Sequence, residues 1–170
     1  MANGGDITFN NCTFTENNAQ TSGSAGRANG TGSVAFLNNC IAWGNVGSPL
    51  VESVGGIDSV RYSDIQGGWP GVGNIDTDPL FVNAAAGDFR LQASSPAIDG
   101  SDPNDGYNPD GTDLDMGAYQ FDQGGSGVSG NHGGAVWNIA GSPYRVVDTV
   151  FTNGGAGLTI PPGVEVLMMK

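Results

Sequence analysis

Apolar and polar residues alternate over three short stretches in the first half of the chain. These stretches are ITFNNCTFTEN at 7–17, VAFLNNCIAWGN at 34–45 and VRYSDIQGG at 60–68. Alternation with a period of two predicts short β-strands that bury one face. Each stretch then gives way to Gly, Ser and Asn, which are the residues of turns. The pattern therefore predicts strands and tight turns, and it lacks the longer period of a helix.

The three stretches also repeat one another. The first two contain Asn-Asn-Cys, and Ser63 aligns with Cys12 and Cys40, at spacings of 23 and 28 residues. Repetition at roughly 20 to 30 residues without a helical segment predicts that each unit is one coil of a solenoid. We expect both cysteines to lie inside as free thiols, with a disulfide as the less favoured alternative. The asparagines beside them are expected to form a ladder of side-chain amides.

The register of this repeat predicts which strands are neighbours. We expect Ile7–Phe9, Val34–Phe36 and Ser59–Arg61 to be adjacent parallel strands of one sheet, because a solenoid stacks equivalent strands. The Gly-Ser-Ala-Asn stretch at 20–32 is expected to be a loop that leaves the first coil, which explains the longer first spacing.

The pattern changes after residue 74 and divides the chain into four parts. We predict coils over 1–83, a closing region over 84–121, a Gly/Ser-rich linker over 122–134 and a β-strand tail over 135–170. Strand candidates are NIDTDPLFVN, GDFRLQASSPAIDG and DMGAYQF in the middle of the chain, and Tyr144–Val147, Thr149–Thr152, Leu158–Ile160 and Val164–Met168 in the tail.

Composition narrows the class of protein. Of 170 residues 30 are Gly and 38% are hydrophobic, which disfavours a helical bundle. Five Lys and Arg against 17 Asp and Glu give a net charge of −12, which would repel a nucleic-acid backbone. Two cysteines do not make a disulfide framework, and the sequence contains no apolar run long enough for a membrane span. The opening MANGGDITF has no export signal, so an exported parent would have lost it before this point.

The order SDIQGG, DPLF, SPAID and DMGAY within 57–121 resembles the closing region of secreted bacterial β-helix proteins. These are right-handed, pectate-lyase-like parallel β-helices that end in a region named choice-of-anchor Q. The segment at 141–168 resembles the opening strands of such a β-helix. The resemblance implies an all-β solenoid and an extracellular or cell-surface location. It also implies that the end of one β-helix precedes the start of another here.

Candidates for enzymatic chemistry are sparse. A polysaccharide lyase needs a strong base, and Arg61 is the one such residue in a coil strand, while Asp58 and Asp64 are the nearest carboxylates for hydrolysis. His132 is isolated in the expected linker and is interpreted as solvated. We therefore predict a non-enzymatic structural module. The alternative is a carbohydrate-active fragment, lyase-like or glycan-binding, in which Trp43, Trp69 and Trp137 could stack on sugars rather than serve as packing residues.

The best site candidate is an acidic loop whose side chains all carry oxygen. Calcium prefers such hard oxygen ligands in a tight loop, although the spacing fails the EF-hand pattern. The predicted ligands are Asp102, Asn104, Asp105, Asn108, Asp110, Asp113 and Asp115.

Assembly is the last expectation. The first coil would expose unpaired backbone groups, which are a template for further strands. The tail could cover that edge in its own chain or, as we slightly favour, in a second copy, giving a head-to-tail oligomer or filament. The residues expected to mediate this contact are Ile7, Phe9, Leu158, Ile160, Val164 and Val166.

Calcium in the acidic loop is directly testable by melting the protein with and without a chelator. Because a ligand that binds the folded state stabilises it, chelation should lower Tm if the loop holds an ion. Added calcium should restore the Tm. An unchanged Tm under both conditions would leave the loop as an acidic turn.

Overall fold

The computed structural model describes residues 5–19, 26–29, 33–47, 51–54, 57–153, 155 and 157–168. Within these residues the regular elements are β-strands and two 3-10 helices of one turn each, Ala84–Ala86 and Ile139–Gly141. The prediction of an all-β protein is confirmed. The chain divides into two compact units, residues 1–105 with 114–121 and residues 106–113 with 122–170.

The first unit contains two successive sets of four strands and the start of a third set. The first set is β1 (Ile7–Asn10), β2 (Thr13–Thr15), β3 (Asn18–Ala19) and β4 (Gly26–Asn29). The second set is β5 (Val34–Asn38), β6 (Ile41–Trp43), β7 (Val46–Gly47) and β8 (Val51–Val54), and the third begins with β9 (Ile57–Arg61) and β10 (Asp64–Ile65). Strand β4 lies within the stretch expected to be a loop.

Each strand pairs in parallel with the equivalent strand of the next set. The sheets are β1-β5-β9, β2-β6-β10, β3-β7 and β4-β8. Ile7 pairs with Ala35, and Ala35 pairs with Asp58, so the 28- and 23-residue offsets of the repeat are the registers of the sheet. The predicted neighbours in β1, β5 and β9 are therefore confirmed as parallel strands of one sheet.

The alternating pattern places every second residue of β5 in the core. Ala35 and Leu37 are fully buried. They form one cluster with Cys40, Ala42, Val60 and Ile65, against which Ile7, Phe9, Cys12, Phe14 and Trp69 pack. Cys40 is fully buried and Cys12 is half-buried, and both are free thiols, as expected.

A left-handed corner follows each strand of the first sheet. Asn11, Asn39 and Tyr62 occupy the same position in successive sets, with φ of 51°, 54° and 47°. Asparagine is among the residues that tolerate this region best, because its short side chain can form local hydrogen bonds. The second Asn of each Asn-Asn-Cys motif thus turns the chain from β1 to β2 and from β5 to β6.

The closing part of the first unit contains less strand than its sequence predicts. A hairpin of β11 (Phe81–Asn83) and β12 (Asp88–Leu91) is antiparallel, and Ile75 makes a single parallel bridge to Asp64. The predicted strand in DMGAYQF is wrong. A Cβ on Gly117 would lie 2.8 Å from the side chains of Ile41 and Thr13, so the chain runs too close over that sheet to form a ladder of its own.

The second unit is built on a parallel sheet of three strands in the order β13-β14-β15. These are β13 (Ser126–Asn131), β14 (Tyr144–Phe151) and β15 (Val166–Met168). The two strands predicted between 144 and 152 are one, and Leu158–Ile160 provides only a bridge from Thr159 to Val136. Val128, Trp137, Tyr144 and Val146 form the core of this unit.

The predicted linker at 122–134 is wrong, because β13 lies within it. Its glycines allow close packing. A Cβ on Gly127 would lie 2.8 Å from the Cα atom of Gly111, and one on Gly111 would lie 2.6 Å from the Cα atom of Gly127. The two backbones meet where neither can carry a side chain.

Candidate functional site

The seven residues proposed as calcium ligands are divided between the two units. Asp102, Asn104, Asp105 and Asp115 belong to the first unit, and Asn108, Asp110 and Asp113 belong to the second. Within the part of the chain that the structure describes, no group of three or more His, Cys, Asp or Glu side chains is placed to hold a metal ion. Calcium also accepts amide and backbone oxygens, so its presence in the loop stays a prediction.

In the first unit, the acidic residues converge on the buried side chain of Asn39. This side chain is 1% exposed. Its Nδ2 donates to Asp105 Oδ2 at 2.7 Å and to Asn11 Oδ1 at 3.2 Å, and its Oδ1 accepts from the backbone N–H of Asp102 at 2.9 Å. The amide therefore uses both donors and its acceptor, and it fixes the start of the acidic loop on the sheet corner.

Asp102 and Asp115 have structural partners for their carboxylates. Asp102 accepts hydrogen bonds from the backbone and side-chain N–H groups of Asn104, which lower the pKa of Asp102, with a further contribution from the charge of Arg61. Asp115 is fully buried and accepts from the backbone N–H groups of Asp99 and Phe121. Donors of this kind are what allow a carboxylate to be buried.

In the second unit, Asp110 is held in the same way. Its Oδ1 accepts from the backbone N–H and hydroxyl of Thr112, and its Oδ2 accepts from the backbone N–H of Gln123. Burial acts to raise the pKa of Asp110, but these hydrogen bonds outweigh it and the net pKa is lowered. Asn108 donates to Asp113 O at 2.9 Å, while its own Oδ1 is buried without a hydrogen-bond partner among the described residues.

The expected amide ladder is confirmed by three side-chain pairs. Asn38 donates to Asn10 at 2.8 Å, Asn39 to Asn11 at 3.2 Å, and Asn17 to Asn45 at 3.0 Å. Arg61 extends the first pair, because its Nε donates to Asn38 Oδ1 at 2.9 Å. The residue considered as a lyase base is therefore bound to the ladder.

Asp64 has a perturbed carboxyl group that sequence reasoning assigned only to a structural motif. It is fully buried, its Oδ1 accepts from the backbone N–H of Thr77 at 3.2 Å, and its Oδ2 has no partner among the described residues. Burial, with repulsion from Asp76 and Asp78, raises the pKa of Asp64 to about 7. The signal was present in the repeat, because Asp64 aligns with Ile41 of a buried strand.

His132 and Trp137 form a buried aromatic group in the second unit. Trp137 stacks on Tyr144 with ring centroids 4.7 Å apart, and its Nε1 donates to His132 Nδ1 at 3.3 Å. The interpretation of His132 as a solvated residue is wrong, because β13 carries it beside the core. Trp137 is 4% exposed, and Trp43 and Trp69 also pack against apolar clusters, as the packing interpretation expected.

The residues predicted to mediate self-association differ in exposure. Ile7 and Phe9 pack against the first core, and Leu158 and Val164 pack against the core of the second unit. Ile160 and Val166 are 46% and 37% exposed. Within the described ranges, β1 pairs with β5 alone, so its other edge has no strand beside it.

Comparison with protein-family models, with curated proteins and with solved structures finds no match to this chain. Among the residues that the structure describes, no helix has the length and apolar character needed to cross a membrane.

Replacing Asn39 by Asp tests the buried amide. The new carboxylate would face Asp105 and could not donate to Asn11, so we expect a loss of about 3 kcal/mol in the free energy of unfolding, measured with denaturant. The control is Asn38→Asp, since Asn38 accepts from Arg61 and a carboxylate there keeps that partner. Equal losses in the two variants would contradict the central place of Asn39.

Asp64 predicts a dependence of stability on pH. Because its pKa is raised in the folded state, its contribution is complete below the unfolded pKa of about 4 and is lost as pH rises through about 7. The change amounts to up to about 4 kcal/mol. Asp64→Asn should remove this dependence between pH 4 and 8, whereas Glu16→Gln, which alters an exposed carboxylate, should keep it. The same slope in Asp64→Asn as in the wild type would refute the assignment.

Proposed function

We propose that the chain is a non-enzymatic structural module of an extracellular or cell-surface protein, built from coils of a right-handed parallel β-helix. The observation that carries this proposal is the repeated register. Strands follow one another in the order β1, β2, β3, β4, and each pairs in parallel with its equivalent 28 residues later in β5, β6 and β7. A chain that repeats its strands in order and in register winds as a coil.

The side chains support the same proposal, because like residues stack on like. Asn10 meets Asn38, Asn11 meets Asn39, and Asn17 meets Asn45. Such ladders satisfy polar groups from one coil to the next and need no ligand. The candidates for catalysis contribute to this scaffold: Arg61 binds Asn38, and Asp64 is buried beneath the turn at Thr77.

The second unit supports a second set of coils. Ser126 pairs with Tyr144, and Tyr144 pairs with Val166, at offsets of 18 and 22 residues in parallel strands. Asn131 donates to Asn153 at 2.8 Å, which repeats the amide pairing of the first unit. This agrees with the expected order, in which the end of one β-helix precedes the start of another.

We infer that the module associates with other copies of itself, head to tail. Strand β1 has an edge without a partner among the described residues, and β15 is an edge strand of the second unit. Unpaired strand edges favour the addition of further strands. A contact between two different surfaces propagates unless it closes a ring, so the expected product is an oligomer or a filament.

Light scattering of the full chain over a range of concentrations tests this assembly. We expect a mass that grows with concentration, and Val166→Lys should reduce it, because a charge on an edge strand opposes pairing. Val82→Lys is the matched control, since Val82 is similarly exposed, at 46%, on the hairpin strand β11. A monomer at every concentration, or equal effects of the two substitutions, would contradict the head-to-tail contact.

A further inference from the structure

The two cysteines lie at the same level in neighbouring parallel strands. Asn10 pairs with Asn38 and Thr13 pairs with Ile41, so Cys12 lies directly beside Cys40. Adjacent strands are about 4.8 Å apart, which is within the Cα separation of about 4.4 to 6.8 Å found across disulfides. The backbone therefore already holds the two residues at a distance that a disulfide can span.

The two thiols also point in the same direction. Cys12 Sγ donates to the carbonyl of Asn10 and Cys40 Sγ donates to the carbonyl of Asn38, each at 3.2 Å and two residues back along the chain. Cys40 Sγ also lies 3.6 Å from the carbonyl oxygen of Phe9 in the neighbouring strand. The sulfur atoms are thus stacked side by side, and a change of rotamer brings them into bonding distance.

The two sulfurs differ in access to solvent. Cys12 is half-buried, whereas Cys40 is fully buried. Burial raises the pKa of the Cys40 thiol to about 12, and the adjacent Cys12 adds to this effect by charge repulsion. Because the thiolate is the reactive form, Cys12 is the first thiol to react and Cys40 is the second.

We propose that Cys12 and Cys40 form a redox site, in which a small-molecule disulfide oxidises the pair to an intramolecular disulfide between neighbouring strands. The Cys12 thiolate attacks the external disulfide, forms a mixed disulfide and releases one external thiolate. The Cys40 thiolate then attacks the sulfur of Cys12 and releases the second. The protein loses two protons and two electrons, and one external disulfide becomes two thiols. The site is independent of the proposed assembly.

The bond would covalently join the first two strand sets. It closes a loop of 28 residues between Cys12 and Cys40. A crosslink of this kind restricts the unfolded chain, so the oxidised protein should melt several degrees higher than the reduced protein.

The experiment uses oxidised glutathione on the full chain, followed by acid quenching, alkylation, denaturation and trypsin. Arg27 is the one trypsin site between the cysteines, so cleavage there separates Cys12 from Cys40 unless a disulfide joins them. We expect a single linked pair of peptides that dithiothreitol separates. The rate of the second step should rise about tenfold per pH unit from pH 7 to 10, because the thiolate fraction of a group titrating near pH 12 does so.

Serine variants assign the order of the two steps. A hydroxyl fits at this level, because Ser63 occupies the equivalent position in the third set, where its Oγ accepts from the backbone N–H of Cys40. Cys40→Ser should accumulate the mixed disulfide on Cys12, and Cys12→Ser should stay unmodified under the same conditions. In the wild type, a persistent mixed disulfide at pH 10, a disulfide-linked dimer or an unreacted pair would each overturn the proposal.

Discussion

The buried side-chain amide of Asn39 is the interaction on which the first unit depends. It joins three parts of the chain that are far apart in sequence: the corner at Asn11, the backbone of Asp102 and the carboxylate of Asp105. The backbone carbonyl of Asn39 also accepts from Gly117, so the closing region is attached at the same residue. A buried polar network of this kind stabilises a fold only when each member has a partner, and here each hydrogen-bonding group of the amide has one.

Asparagine suits these corners for two separate physical reasons. The left-handed backbone at Asn11 and Asn39 is costly for most side chains and is tolerated by asparagine. Parallel registration then brings each amide beside its equivalent in the next strand set, where donor and acceptor are complementary. Tyr62 takes the same backbone conformation in the third set but has no amide, and Arg61 instead binds the neighbouring Asn38. The ladder therefore ends where the repeat loses its asparagines.

The sequence could predict what is encoded locally and repeated. The registers of β1, β5 and β9 followed from the Asn-Asn-Cys spacing, because a repeat states its own alignment. The errors concern contacts between distant residues. Gly127 was interpreted as part of a flexible linker because its close approach to Gly111 has no local signature. Likewise, nothing near Asp115 in sequence showed that Asp99 would donate a backbone N–H to it.

Asp64 and Asp115 show why composition alone cannot locate chemistry in this chain. Both are aspartates in the first unit, and both are completely buried. Asp115 receives backbone hydrogen bonds on both oxygens, whereas Asp64 receives one from Thr77 and faces the repulsion of Asp76 and Asp78. Burial without enough donors favours the protonated form, so only Asp64 has a pKa near neutrality. In an acidic protein with few cations, the placement of backbone N–H groups decides which carboxylates are stable as charges. That placement is set by the strand register, the same constraint that aligns the asparagines and the cysteines.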